Sequence, residues 1–316
     1  MNGCYFILGG GTVRQPLVLE FKANSLDDGP GIRTAVFFKG CPLSCIWCHN
    51  PESKKPEAEL SVSLDDCIGC FTCKSVCPKG AASPDKPGIV DRSICDLCFE
   101  CVEHCPPKGL TRVGKEMSVE EIVKKCASDK PFYDVSGGGV TLSGGEPCLC
   151  PEWMGGLCKA LHDEGISIHI ETAGLFDYDK VKEYMLPFVS SVYMDIKIID
   201  RERHKQYCGV CNDVILENFK RFLKDSKEMG FDYLTRTPLI PNITDTDENL
   251  QDIVKLYKEN GVNRTELLAY NPTWYIKAKK LGVPVADEVA GLDSWQSPEK
   301  IEHCKSFFLA EGIECL

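Results

Sequence analysis

Three cysteines of the stretch GCPLSCIWCHN, Cys41, Cys45 and Cys48, form a C-x3-C-x2-C array. Thiolate sets suit iron–sulfur clusters, and a cluster with four protein ligands mainly passes electrons. No fourth cysteine follows closely enough to complete this set, so the spacing predicts a cluster with one iron open to a ligand from outside the chain. That is a site for chemistry at the metal. Structural zinc is the alternative, but it takes four ligands, as paired C-x2-C knuckles or with a well-spaced histidine. Here the second knuckle is missing, and His49, directly after Cys48, chelates poorly with it.

Two further runs have matched spacing. Cys67, Cys70, Cys73 and Cys77 read C-x2-C-x2-C-x3-C-P, as do Cys95, Cys98, Cys101 and Cys105, with Pro78 and Pro106 after the last cysteine of each. The repeat resembles the two-cluster bacterial ferredoxins, in which the fourth cysteine of each run crosses to the other cluster. That resemblance implies Cys67, Cys70, Cys73 and Cys105 on one 4Fe-4S cluster and Cys95, Cys98, Cys101 and Cys77 on the other, both fully ligated and therefore electron carriers. A disulfide scaffold or a pair of zinc knuckles accounts poorly for two matched runs with a trailing proline. Eleven of the twenty cysteines are thereby assigned. Cys4, Cys126, Cys148, Cys150, Cys158, Cys208, Cys211, Cys304 and Cys315 are read as mostly buried or idle, the Cys208/Cys211 pair included, although its C-x2-C spacing also suits a redox pair. Many free thiols, no apolar signal segment and no apolar run of about eighteen residues predict a reducing, cytoplasmic, soluble protein. Exposed clusters imply an anaerobic life.

The elements that must position these groups follow from periodicity. Short apolar, β-rich runs fall at 34–38, 140–142, 166–170, 192–196, 233–237 and 267–270, and helical spacing at 119–127, 152–162, 178–185, 214–229 and 250–260. This alternation predicts a parallel α/β sheet. Of 316 residues, removing 60–113 leaves enough chain for a barrel-like core. The expected division is a barrel over 17–59 and 114–316 with an insert at 60–113. Hydrophobic residues at 43% support ordinary globular packing, and a mean hydropathy of −0.16 argues against a membrane protein. A net charge of −11 without clustered Lys and Arg disfavours nucleic acid as a partner. Gly9-Gly10-Gly11 has no strand clearly before it and no helix after, and is assigned no role.

Upstream of the triad lies DGPGIRT, Asp28 to Thr34, which in physical terms is a turn followed by a strand. This segment, the triad and Trp47 just before Cys48 together resemble the radical S-adenosylmethionine enzymes, and specifically the activating enzymes of glycyl-radical enzymes, in the group that carries extra clusters. The resemblance covers about 26–282 and implies a partial (β/α)6 TIM-type barrel with a ferredoxin-like insert carrying two 4Fe-4S clusters. In such barrels reactive groups gather at the C-terminal ends of the strands. SGGEP after the strand at 140–142 matches the family's GGE motif, which lacks the ending of a phosphate-binding loop; two glycines there admit close approach to the backbone. The resemblance assigns Gly144, Gly145 and Glu146 to the methionyl ammonium of S-adenosylmethionine, which needs acceptors, and places Trp47 beside the cofactor. It further implies that Glu171 and Thr172, in ETAG, and Asp195 and Lys197, in DIK, hold the ribose hydroxyls and the methionyl carboxylate, with a monovalent cation nearby. Some members carry Asp where this chain has Glu171. Arg236 in TRTPLIPN and Asn271 in LLAYNPTW resemble later cofactor contacts; an Arg there either grips a carboxylate bidentately or pairs with a nearby acid.

The resemblance also implies a mechanism. The open iron chelates the amino and carboxylate groups of S-adenosylmethionine, a reduced 4Fe-4S cluster delivers one electron to the sulfonium, and the C–S bond breaks. The 5′-deoxyadenosyl radical then takes a Cα hydrogen from a glycine loop of a docked glycyl-radical enzyme. In all, three 4Fe-4S clusters and S-adenosylmethionine are expected, with ferredoxin or flavodoxin as electron donor. Two rival classes are a radical S-adenosylmethionine enzyme acting on a small molecule, which leaves DGPGIRT and the double insert unexplained, and an electron-transfer protein, which leaves the triad, GGEP and the Asp195/Lys197 pair without purpose.

Overall fold

The computed structural model describes residues 15–316; Cys4 and Gly9-Gly10-Gly11 lie outside the described residues. Among the described residues there are ten strands: β1 (Val18–Ser25), β2 (Arg33–Phe38), β3 (Glu59–Val62), β4 (Leu110–Val113), β5 (Gly139–Gly144), β6 (Ser167–Thr172), β7 (Ser191–Asp195), β8 (Asp232–Pro238), β9 (Arg264–Leu268) and β10 (Glu314–Cys315). Eight of them make one sheet in the order β1-β2-β5-β6-β7-β8-β9-β10. From β2 to β9 every neighbouring pair is parallel, and β1 runs antiparallel along the β2 edge. Six parallel strands in sequence order, with helices in the crossovers, fit a partial (β/α)6 barrel.

The helices cover the outer face. Helix Asp213–Met229 buries Ile215, Phe219 and Phe222, and the Phe222 ring stacks on Tyr233 of β8 at 5.5 Å. Helix Asp247–Asn260 buries Leu250, Ile253, Val254 and Tyr257 at helical spacing, and Thr246 caps it by accepting from the Asn249 amide. Truncating a ring such as Phe222, fully buried in this shell, costs about 3–5 kcal/mol. Four helices of the barrel were not foreseen. Lys130–Ser136, Arg201–Cys208, Trp274–Leu281 and Pro298–Leu309 are short or weakly patterned and take their stability from packing. β1 was missed as well, because its outer positions are polar and exposed. The sixth parallel strand lies at Arg264–Leu268 instead of 267–270: its charged start pairs Arg264 with Asp232, while Tyr270 has left the ladder to donate its hydroxyl to the Leu292 carbonyl.

DGPGIRT shapes the start of β2. Arg33 is fully buried, and its guanidinium donates to the Pro30 carbonyl (3.0 Å), the Val140 carbonyl (2.8 Å), the Thr141 hydroxyl (2.8 Å) and the Ser167 carbonyl (3.1 Å). One side chain thus ties the turn to β5 and β6. Gly31 sits at φ +74°, and a Cβ there would lie 2.5 Å from the Gly138 amide nitrogen. Gly31→Ala should therefore destabilise the fold by more than the roughly 1–3 kcal/mol of left-handed backbone strain alone, read as a drop in anaerobic melting temperature; an unchanged melt would show that the turn relaxes freely.

The segment between β3 and β4 folds apart from the main sheet. β3 and β4 pair antiparallel, Glu59 with Val113 through Val62 with Leu110, and Leu60, Val62, Ile89, Val90 and Leu110 help form a second small core. Its two short helices, Thr72–Val76 and Glu100–Glu103, are each preceded by a phenylalanine in the left-handed region, Phe71 at φ 59° and Phe99 at φ 62°. The sequence repeat is therefore also a conformational repeat.

Candidate active site

Loops at the C-terminal ends of the parallel strands carry the triad and the motifs. Past β2, Gly40 donates to the Ser53 carbonyl (2.7 Å) and Cys41 to that of Lys54 (3.0 Å). The Ser44 and Ile46 amides bond the carbonyls of Cys208 (2.8 Å) and Tyr207 (3.1 Å), and Lys54 Nζ holds the Cys45 carbonyl at 2.9 Å. The cysteine loop is thus pinned on two sides before any ligand binds. Cys45 is buried, and Cys41 and Cys48 are partly so. Burial, reinforced by Cys45, raises the Cys41 thiol and pushes Cys48 up to about 11. Cys45 itself is drawn below the usual thiol range by the Cys208 thiol beside it, with help from Lys197 and Lys54 against burial.

The GGE segment packs tightly on this loop. Gly145 donates to the Phe38 carbonyl (2.9 Å) and Glu146 to that of Gly40 (2.7 Å). A Cβ on Gly144 would lie 2.3 Å from the Phe38 nitrogen, and one on Gly145 2.1 Å from the Gly40 oxygen. The glycines are thus required by the approach of the cysteine loop itself. The Glu146 carboxylate is buried and already committed: it accepts from the Thr172 hydroxyl (2.8 Å), the Ala173 amide (2.9 Å) and the Cys148 amide (3.1 Å). Burial raises its pKa in spite of these bonds.

Across the strand ends runs an ion network. Arg236 Nη1 meets Glu171 Oε1 at 2.6 Å and its Nε meets Asp195 Oδ1 at 3.3 Å, while Lys197 Nζ meets Asp195 Oδ2 at 2.8 Å. Glu171 Oε2 also accepts from Ser143 Oγ at 2.6 Å. Burial opposes ionisation of Asp195, but Lys197 and Arg236 outweigh it and hold the carboxyl below its usual range. The same acids hold Lys197 and Arg236 above theirs against burial. Arg236 therefore pairs with nearby acids here. Trp47 is buried with its ring tilted against Tyr207 at 6.5 Å, and Asn271, beyond β9, accepts from the Thr273 amide at 2.9 Å.

Three neighbours were not expected at the site. His49 has a buried Nε2 with no hydrogen-bond partner, a ring 5.9 Å from that of Tyr270, and a pKa lowered to about 4, chiefly by burial. Glu266 on β9 lies beside Arg236 in register, and burial raises its pKa; alternation along β9 was the signal that could have found it. Cys208 is buried, as the sequence reading allowed, and stands against Cys45.

In the segment between β3 and β4, Cys67, Cys70, Cys73 and Cys105 line one pocket and Cys77, Cys95, Cys98 and Cys101 line another. The fourth cysteine of each run lies with the other run's three. Among the described residues no three His, Cys, Asp or Glu side chains converge as they would around a single metal ion. A four-iron cube holds its thiolates farther apart than one ion does, so the shared walls are the relevant test. By that test, and by the all-thiol donor sets, these residues fit iron–sulfur clusters.

The Radical SAM superfamily profile matches residues 95–265. The indoleacetate decarboxylase activating enzyme of Tractidigestivibacter scatoligenes is 36% identical over 313 residues, covering 95% of this chain and 96% of that protein. The isethionate sulfite-lyase activating enzyme of Desulfovibrio desulfuricans is 40% identical over 265 residues, covering 82% and 84%. Among solved structures, a radical SAM methyltransferase from Sphaerobacter thermophilus shares the fold, with a TM-score of 0.52 and 16% identity over 95% of this chain and 76% of that one. The chain belongs to the radical SAM superfamily, among the activating enzymes of glycyl-radical enzymes. It is an oxidoreductase that uses a 4Fe-4S cluster and S-adenosylmethionine. Among the described residues no helix is long and apolar enough to cross a membrane.

Proposed function

We propose that Cys41, Cys45 and Cys48 hold the 4Fe-4S cluster with one iron open, and that S-adenosylmethionine lies across the strand ends above β5 to β9. The observation that carries this reading is the convergence of three pinned thiols and the Glu171–Arg236–Asp195–Lys197 network at one end of one sheet. When bound, the cluster supplies one electron to the sulfonium, giving methionine and a 5′-deoxyadenosyl radical that takes a glycine Cα hydrogen from the partner enzyme.

The chain's own residues position and shield. Because the Glu146 carboxylate is committed to Thr172, Ala173 and Cys148, the methionyl ammonium is received by backbone acceptors of Gly144, Gly145 and Glu146. Lys197, and Arg236 after exchanging an acid partner, offer cations to the methionyl carboxylate; Glu171, Thr172 and Asn271 offer polar groups to the ribose and adenine, and Trp47 backs the cluster loop. The unpartnered Nε2 of His49 adds one polar atom for a bound group. Residues 60–113 form a ferredoxin-like insert in a barrel made of 17–59 and 114–316, and its two pockets hold two more 4Fe-4S clusters. Crossed lining of these pockets supports that count of three clusters. Electrons come from a ferredoxin or flavodoxin, in the cytoplasm.

The test is anaerobic electron paramagnetic resonance on the reconstituted, reduced protein with S-adenosylmethionine and the glycyl-radical enzyme encoded nearest to it. A glycine-centred doublet on that partner, formed together with 5′-deoxyadenosine, is expected. Production of 5′-deoxyadenosine with no radical on any glycyl-radical enzyme would favour a small-molecule substrate.

A further inference from the structure

The two cysteine pockets are not equivalent with respect to the barrel. The β3–β4 ribbon has one end against it: Glu59, at the start of β3, meets Lys39 just past β2 at 3.0 Å, and the ribbon runs out to the Val62–Leu110 pair. Leu60 lines the pocket of Cys77, Cys95, Cys98 and Cys101, whereas Gly109 and Leu110 line that of Cys67, Cys70, Cys73 and Cys105. Leu60 lies two residues nearer that end than Val62, the partner of Leu110, roughly 7 Å of strand, so the first pocket takes its strand wall from the inner part of the ribbon.

A structural bridge leaves from the same inner side. Arg92, three residues before Cys95, donates to the Leu60 carbonyl (2.9 Å) and to the Lys280 carbonyl (3.1 Å) at the end of helix Trp274–Leu281. Gly282 admits it, since a Cβ there would lie 2.6 Å from Arg92 Nε. One turn earlier on that helix, Lys277 Nζ holds Asn50 Oδ1 at 2.8 Å and Glu52 at 3.1 Å. Asn50 is two residues past Cys48. One helix thus touches the loop before Cys95 and the loop after Cys48. Both pockets reach the surface: Cys70 is exposed at one, with Ile68 69% and Phe71 44% exposed beside it, and Cys98 at the other, near Ile94 at 47% and Leu97 at 38%.

We propose that the two pockets act in series: the Cys77/Cys95/Cys98/Cys101 site faces the Cys41/Cys45/Cys48 site across the Arg92–helix–Lys277 bridge, and the Cys67/Cys70/Cys73/Cys105 site reaches the barrel only through it. The inference rests on the reading that both pockets hold clusters. Tunnelling falls off exponentially with distance, so the nearer site carries the current. One electron leaves a low-potential one-electron donor protein and one arrives at the open-iron cluster; no bond forms or breaks on the way.

The test is pulsed electron paramagnetic resonance of the reduced Cys41/Cys45/Cys48 cluster in the full chain, reconstituted anaerobically. Spin-relaxation enhancement from a neighbouring reduced cluster should persist in Cys70→Ala and be lost in Cys98→Ala. Arg92→Ala, which keeps every cysteine, should slow reduction of that cluster by a substoichiometric donor without changing the iron content. Equal enhancement in both cysteine variants, or loss in Cys70→Ala alone, would overturn the series order. Iron and sulfide for a single cluster in the wild-type chain would instead overturn the three-cluster reading, and with it this one.

Discussion

Cys45→Ala should abolish reductive cleavage of S-adenosylmethionine, a fall of about 10³-fold or more, equivalent to roughly 4 kcal/mol of barrier. Cys45 is the innermost of the three thiols, buried against Cys208 and drawn toward the thiolate by Cys208, Lys197 and Lys54. Its loss removes one of only three ligands. Cys208 is a fourth thiol, beside Cys45, and the double variant Cys45→Ala/Cys208→Ala controls for any substitution by it. By contrast Cys70→Ala, at an exposed position in the segment between β3 and β4, should slow the reaction without ending it. The assay is anaerobic 5′-deoxyadenosine formation beside iron content and the spectrum of the cluster. Wild-type turnover by the double variant would remove the triad from the mechanism; total loss in a folded, triad-loaded Cys70→Ala protein would show that the outlying cysteines are indispensable.

Arg236→Met should be the most damaging change that spares every thiol. The guanidinium is buried between Glu171 and Asp195, and removing it leaves two carboxylates short of their cation, with Lys197 remaining for Asp195 alone. Breaking a buried pair from one side costs about 3–5 kcal/mol. The folded-state pKa of Asp195 lies below its unfolded value, so its ionised form stabilises the fold above the unfolded pKa, and that contribution fades as pH falls through the folded one. In Arg236→Met the fading should begin at higher pH. Anaerobic thermal melts across the acid range, with calorimetric titration of S-adenosylmethionine, measure both effects. Adding Asp195→Asn should recover part of the loss; strictly additive damage would show that Arg236 acts through packing rather than charge.

The chemistry of this protein was legible in the sequence because cysteine spacing is local. A C-x3-C-x2-C array and two C-x2-C-x2-C-x3-C-P runs can be read without knowing where the chain goes, and five of the six parallel strands could be read from short apolar runs whose side chains are buried on both faces. What required the tertiary structure was partnership. Gly144 and Gly145 read as room for a ligand, yet they are demanded by the backbone at Phe38 and Gly40, more than a hundred residues earlier. Arg236 was open between a cofactor carboxylate and a protein acid until β6, β7 and β8 brought Glu171 and Asp195 to it. Cys208 read as buried or idle, and only the packing of helix Arg201–Cys208 on the cysteine loop sets it against Cys45. Helix Trp274–Leu281 has little pattern of its own, and its role as a bridge exists only through Lys277 and the Lys280 carbonyl. Ligand spacing is written within a dozen residues of chain; electrostatic neighbours, close backbone approaches and distances between sites arise from contacts between residues far apart in sequence, and folding alone decides them.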